Sequence, residues 1–460
     1  MPKITFVGAG SAVFTRNLLG DIMSYPELDG SRICLMDIDE HRLGKVDALA
    51  RKMVVQENSR ITIESTTDRR EALRNADYVI ITIQVGGLDA YTLDIEIPRK
   101  YGVEQCVGDT LGPGGIFRGL RHLAVISEVA RDLEELSPNA LILQYTNPMA
   151  IICWALSKLS PIKTVGLCHS VQGTSRQLAR YIGAPYEEVT YWVAGINHVA
   201  WFLRFEWNGE DAYPRLREKM QDTAIYGEEP TRFNLMRHFG YFVTESSGHA
   251  SEYYPYYRRN PQEIESLVAQ FTDPKNAWYD FGRTGGYLRH CLERADEYDA
   301  DIEKQLQEGE EVRVRRSDEY GAGIMHSIET NTLRRINGNV RNSGLITNLP
   351  EGCCVEVPSL VDATGIHPCV VGALPPQVAG VTRRNVDVQE LAVLGHIHRD
   401  KELIRQAIKL DPLTGAVCSL EQVDAMTNEL FETQARWLPQ FEESARVAVG
   451  AGATGLIEPT

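Results

Sequence analysis

Apolar and polar positions follow two alternating periods up to residue 167. Residues 3–7 form a short apolar run rich in β-branched and aromatic side chains, and it stops at Gly8-Ala9-Gly10-Ser11. Val13, Phe14, Leu18, Leu19, Ile22 and Met23 then recur at helical spacing, so strand, glycine turn and helix follow one another. Residues 32–36 form a second strand closing on Asp37-Ile38-Asp39, and Leu43, Val46, Leu49 and Met53 form one face of a second helix. Residues 78–83 are a buried-type strand ending in Gln84-Val85-Gly86-Gly87. A helix with Leu120, Leu123, Ile126, Val129 and Leu133 leads to a strand at 141–143, which stops at Tyr145-Thr146-Asn147-Pro148. One more helix, over 149–159, leads to a strand at 164–167. Strands alternating with helices predict an α/β, Rossmann-type doubly wound parallel sheet. Ligands in such sheets sit at the carboxyl ends of strands. Gly8, Gly10, Asp37, Gln84, Asn147 and Cys168 all fall at those ends.

Beyond residue 174 the pattern becomes mixed α+β. Strand-like segments at 191–194 and 201–207 lie among helices, 208–232 is polar and reads as surface or a lid, and 241–257 is rich in tyrosine. Amphipathic patterns cover 386–410 and 420–441, and the Gly/Ala-rich tail 447–460 reads as loosely ordered,. A chain of 460 residues exceeds one ordinary core. The expected division is 1–170, a nucleotide-binding domain, and 171–460, a substrate, metal and oligomerisation domain. The long C-terminal stripes suit a homodimer or homotetramer, although internal packing explains the same pattern.

A formal net charge of −16 argues against nucleic acid, since no excess of cations exists to neutralise phosphates. Met1-Pro2-Lys3 runs straight into the first strand, and no unbroken apolar stretch is long enough for a bilayer, so no signal peptide and no membrane partner are expected. The nine cysteines are odd in number and scattered, apart from Cys353-Cys354. They read as free thiols of a cytoplasmic protein.

Gly8 and Gly10 allow a pyrophosphate to approach the backbone, and Ser11 opens a helix whose amino end is electropositive,. Val13 stands at the third glycine of the usual GxGxxG pattern, which weakens the motif. An acid at Asp37 suits a ribose diol, hence NAD rather than NADP; its alternative is a helix cap.

Cys168 and His169 are adjacent after an apolar run, and His198 follows on a later segment. A thiol with an imidazole and open positions suits a catalytic divalent metal. A buried small hydrophobe and a satisfied core histidine explain the same residues. A direct Cys168–His169 nucleophile–base pair is disfavoured, because neighbours on a strand face opposite ways.

Several segments taken together resemble glycoside hydrolase family 4. They are Gly8-Ala9-Gly10-Ser11, Met36-Asp37-Ile38-Asp39, residues 109–115 (Asp-Thr-Leu-Gly-Pro-Gly-Gly), Thr146-Asn147-Pro148-Met149, Cys168-His169-Ser170-Val171-Gln172 and Gly195-Ile196-Asn197-His198. The likeness continues into Gly338-Asn339-Val340-Arg341-Asn342 and residues 348–358. The Cys168–Gln172 segment looks like the α-galactosidase branch. The resemblance implies hydrolysis outside the two-carboxylate mechanism. It implies tightly bound NAD and a divalent metal, usually Mn²⁺, with oxidation at C3 of the sugar, loss of the C2 proton, elimination and water addition. It makes Cys168 and His198 the metal ligands. Tyr253 becomes the base, with Tyr254 or Glu252 as substitutes if the register slips. Asn147, Asn197 and Arg341 become sugar contacts, and Asp109 a group acting on the leaving group or a metal-bound water. His169 takes an open role as acid, hydroxyl contact or pocket wall. Each has a plainer alternative: Tyr253 as core, Asn147 and Asp109 as turn formers, Arg341 as a surface cation. The implied substrate is an unphosphorylated α-galactoside of the melibiose or raffinose type. An α-glucosidase or uronidase is the rival within the family, and a 2-hydroxy-acid dehydrogenase or a non-catalytic NAD-sensing protein the rival outside it.

Overall fold

A computed structural model describes residues 1–271, 282–314 and 316–442. The tail expectation for 447–460 falls outside the described residues. Six parallel strands form the first half of the sheet: β1 (Lys3–Val7), β2 (Arg32–Met36), β3 (Thr62–Thr66), β4 (Tyr78–Ile81), β5 (Leu141–Gln144) and β6 (Lys163–Gly166). Their order is β3-β2-β1-β4-β5-β6, that of a doubly wound nucleotide-binding sheet. The order of succession reverses between β1 and β4, which are themselves parallel, so a crevice opens at their carboxyl ends,.

Helices cover both faces. α1 (Ala12–Met23) and α2 (Glu40–Gln56) bury Leu18, Leu19, Ile22, Leu43, Val46, Leu49 and Met53 against one face. α3 (Arg69–Leu73), α4 (Gly87–Lys100), α5 (Gly112–Leu136) and α6 (Met149–Leu159) belong to the other. The periodic stripe Leu120, Leu123, Ile126, Val129 and Leu133 of α5 is wholly buried there, each side chain contributing roughly 1.5–3 kcal/mol. β3 was not apparent from periodicity. It is an edge strand with mostly polar, exposed side chains, so it carries almost no apolar alternation.

The second half extends the same sheet. β7 (Val189–Ile196), β8 (Val199–Trp207), β9 (Glu210–Asp211), β10 (Arg334–Arg341), β11 (Cys354–Asp362) and β12 (Gly365–Pro368) follow α7 (Ser170–Ile182). β10 pairs antiparallel with β6, β11 with β10, and β7 with β11. The sheet therefore runs on across residue 170. The polar segment 208–232 is surface structure, exposed over much of 208–224 and anchored at a few buried side chains. Tyr213 and Leu216 are buried, and buried Arg232 donates to Thr174 Oγ1 at 2.9 Å and to Val243 O at 3.2 Å. No helix among the described residues is long and apolar enough to cross a membrane.

Candidate active site

The crevice is built first by backbone. Gly8 has φ +92°, and a Cβ there would stand 2.5 Å from Thr82 O at the end of β4. Only glycine satisfies both conditions. Gly10 N donates to Asp37 Oδ2 at 2.8 Å, and Asp39 N donates to Asp37 Oδ1 at 2.9 Å. Asp37 thus ties the glycine turn to the end of β2. The helix cap is Asp39 instead, which accepts from Arg42 N at 3.0 Å. Ser11 is exposed and makes no side-chain bond to α1. Gln84 is exposed beside the crevice and donates to Gly87 O at 3.3 Å.

Two strand ends further along, β6 stops at Gly166, one residue earlier than the apolar run suggests. Cys168 and His169 lie on the turn into α7, so the turn, not strand alternation, separates them. The Cys168 thiol donates to Ser170 Oγ at 3.3 Å and lies 3.4 Å from His198 Nε2. His169 points outward, its Nδ1 3.3 Å from Glu319 Oε1. His198 arrives on the two-residue turn between β7 and β8, at φ +65°. Its Nε2 is 3.5 Å from Glu245 Oε2. Ligand atoms of Cys168, His198 and Glu245 all lie within 4.8 Å of one another. Nitrogen and sulfur donors of one ion, at bonds of roughly 2.1 and 2.3 Å, stand about 3.6 Å apart in a tetrahedral shell. The donor set therefore fits one divalent ion with room left for oxygens of a ligand. His198 Nδ1, on the other side of the ring, lies 3.1 Å from Thr110 Oγ1 and 3.3 Å from the Tyr253 hydroxyl, an arrangement that leaves Nε2 as the nitrogen available to an ion.

Around this trio the other anticipated residues divide. Asp109 is half-buried; its Oδ1 accepts from Thr110 Oγ1 at 2.7 Å, and its Oδ2 accepts from Asn147 Nδ2 at 3.4 Å. Tyr253 is fully buried against His198. The two substitutes for Tyr253 lie elsewhere. Glu252 spends its carboxylate on Val107 N at 2.6 Å and Gly108 N at 3.0 Å, bracing the loop into Asp109. The Tyr254 ring stacks edge-on with Trp201 in the core. Asn197 precedes His198, wholly buried, with neither amide atom bonded. The structure does not bring Arg341 to the cluster. β10 runs antiparallel to β6 with Asn339 opposite Gly166, so Arg341 lies two residues back toward the amino end of β6, exposed beside Gly352.

Three residues escaped sequence reasoning. Glu245 completes the trio, and His249 bridges it to Asp109, with Nδ1 3.3 Å from Glu245 Oε1 and Nε2 3.1 Å from Asp109 Oδ1. Their i, i+4 spacing was the available signal. Glu356 is wholly buried and unbonded on β11, in register with Asn339.

Charge is balanced inside this cluster. Burial alone would raise the carboxyls of Asp109 and Glu245. The histidines beside them outweigh it, so both are held below the usual carboxylate range. Burial opposes a charge on His249, yet its two carboxylate neighbours raise it well above an ordinary imidazole. Burial lowers His198 and so favours the neutral ring that ligates metals,. Burial raises the Cys168 thiol, and burial with nearby carboxylates raises the Tyr253 phenol well above its ordinary value. Glu319 and Cys168 raise His169.

Residues 3–184 match the profile described as family 4 glycosyl hydrolase, and residues 193–414 match the family 4 glycosyl hydrolase C-terminal domain. The chain is 39% identical over 445 residues to an alpha-galactosidase of Bacillus subtilis (strain 168), covering 96% of this chain and 100% of that protein. The chain belongs to glycosyl hydrolase family 4. It is a glycosidase. An alpha-galactosidase of Rhizobium meliloti (strain 1021) is also 39% identical, over 451 residues, covering 97% of this chain and 91% of that protein. The fold is shared with a 6-phospho-alpha-glucosidase from gut microorganisms solved in complex with NAD and Mn²⁺. The TM-score is 0.78 at 21% identity, covering 96% of this chain and 100% of that one. Family membership sets aside the dehydrogenase and the non-catalytic sensor.

Proposed function

We propose that this family 4 glycosidase hydrolyses unphosphorylated α-D-galactosides with NAD and a divalent cation, Mn²⁺ being the expected ion. The observation that carries the reading is the Cys168–His198–Glu245 trio, an S/N/O donor set two strand ends away from a glycine-lined nucleotide crevice. The choice of galactoside over glucoside or uronide is supported by 39% identity along the whole of an alpha-galactosidase, against 30% to an alpha-glucosidase and 28% to an alpha-galacturonidase. Nine unpaired cysteines suit a reducing, cytoplasmic setting,.

Cys168, His198 and Glu245 would hold the metal; Gly8, Gly10, Ser11, Asp37 and Gln84 would line the dinucleotide site. When bound, the dinucleotide would supply the redox chemistry at C3, and the cation would polarise the sugar oxygens and favour the ionised form of Tyr253. Every other role belongs to the chain. Tyr253 takes the C2 proton, its hydroxyl aligned beside His198. Asp109, kept ionised by His249 and oriented by Asn147, works at the departing oxygen or at water. Asn197 offers an unspent buried amide to the sugar. His169 stands charged at the mouth, paired with Glu319.

A panel of nitrophenyl α- and β-glycosides, phosphorylated and not, tests the reading with and without NAD⁺ and Mn²⁺. The α-galactoside is the expected substrate, both additions are needed, no net NADH accumulates, and product formed in D₂O carries deuterium at C2. Turnover confined to 6-phosphosugars would reject the substrate class; absence of deuterium would reject the elimination route.

A further inference from the structure

The turn Val85-Gly86-Gly87 joins β4 to α4 at the edge of the nucleotide crevice, and Gly86 and Gly87 both have positive φ, +82° and +56°. From below, Arg121 Nε donates to Val85 O at 3.4 Å and Val85 N donates to His122 Nε2 at 3.1 Å. Arg121 is 1% exposed and forms a two-pronged pair with wholly buried Asp94, at 2.6 and 2.8 Å. A buried ion pair needs its remaining polar atoms satisfied, and here Gln434 does so. Its Oε1 accepts from Arg121 Nη1 and its Nε2 donates to Asp94 Oδ1 at 2.9 Å.

Gln434 ends the helix Leu420–Thr433 and opens the turn Ala435–Trp437. That turn returns to the glycine turn from outside. A Cβ on Gly86 would stand 3.0 Å from Trp437 Cε2, so the indole lies directly on the glycine. Arg436 stacks on the indole at 3.9 Å and reaches toward Asp89 on α4 at 3.7 Å. Gln440 Nε2 donates to Leu120 O at 3.0 Å. Gln434 and Trp437 lie beyond both matched profiles, the second of which ends at residue 414.

We propose that the C-terminal turn from Gln434 to Trp437 is a working part of the dinucleotide site, a clamp holding Val85–Gly87 in the shape that receives the cofactor. The inference rests on the dinucleotide reading above. Arg121, Asp94 and Gln434 set where the turn sits, and Trp437 presses the flexible pair of glycines from the solvent side. Glycine loses more freedom on ordering than any other residue. Without the indole that loss falls due at the moment of binding.

Calorimetric titration of the full chain with NAD⁺ and, separately, with Mn²⁺ tests this. Trp437→Ala should raise the Kd for NAD⁺ about tenfold, the cost of ordering one or two residues, with the Kd for Mn²⁺ and the melting temperature unchanged. Trp437→Phe keeps an aromatic wall and should bind NAD⁺ nearly as the parent does. Gly86→Ala, whose methyl would meet Ala90 Cβ at 2.5 Å as well as the indole at 3.0 Å at a left-handed φ, should repeat the selective loss should Trp437→Ala fold poorly. A Trp437→Ala protein with parental NAD⁺ affinity, or one weakened equally for both ligands, overturns the clamp. A parent chain that binds no NAD⁺ overturns the dinucleotide reading, and the clamp with it.

Discussion

His198 and Glu245 share a backbone conformation as well as a site: φ is +65° and +73°. Non-glycine residues there cost roughly 1–2 kcal/mol, so the fold sets two side chains of the proposed metal site in unfavourable positions and makes up the loss elsewhere. The cost is separable from the ligation. Glu245→Ala and Glu245→Gly both remove the carboxylate, yet the glycine variant should be more stable by about 1 kcal/mol in urea unfolding, because it alone relieves the backbone. Both, like Glu245→Gln, should lose Mn²⁺ affinity by about tenfold or more, read from the free-ion electron spin resonance signal. Tyr253→Phe should abolish turnover while keeping the ion; a parallel loss of Mn²⁺ binding would make Tyr253 a support for His198 rather than the base. Cys168 and His198 were legible from residue type and the family likeness. Glu245 and His249 were not, because they stand in a stretch dominated by tyrosines, and the feature that aims Glu245 is a dihedral angle.

Elements were legible where burial imposed a period. β1, β2 and the stripes of α1, α2 and α5 follow the expected positions, and β4 does so up to Ile81, two residues short of its expected end. β3, solvated at the sheet edge, left no such trace. The stripe over 386–410 is two helices, Pro376–His398 and Lys401–Leu410, broken at Arg399 with φ +56° and restarted by Asp400, which accepts from Glu402 N at 2.7 Å. Apolar periodicity passes through such a corner because both helices face one core. Within it burial, and then Arg399, lowers His396 to about 4. The unfolded chain has an ordinary imidazole near 6.5, so it takes up protons first as the medium is acidified. Stability attached to His396 is therefore complete above about pH 6.5, falls as pH drops toward 4, and changes no further below that. Urea midpoints at pH 7 and pH 5 should draw closer in His396→Gln than in the parent; an unchanged gap would assign the acid sensitivity to other groups.

At the scale of the molecule, the pairing of β10 with β6 decides how far the two halves are separate. Alternating strands and helices make the first half look complete, and nothing local to residues 163–166 announces a partner 173 residues on. Antiparallel pairing of that separation leaves no periodic mark in either segment. Its consequence is physical. The core on the α5–α6 face takes Val386 and Val393 from one C-terminal helix and Met426 and Leu430 from another, beside Ile151 and Leu156 of α6. Cutting the chain at residue 184, where the first family profile ends, would open β6 as an unpaired edge and strip that face of its cover. Bare edges and apolar faces of this kind associate. Residues 1–184 expressed alone should accordingly bind a hydrophobic dye, aggregate at micromolar concentration and show no cooperative melting. A soluble fragment that melts cooperatively and binds NAD⁺ would mean that the nucleotide half is a domain in its own right. The rest of the sheet would then be an addition to it, and the C-terminal clamp on Gly86 would act as a contact between two folding units.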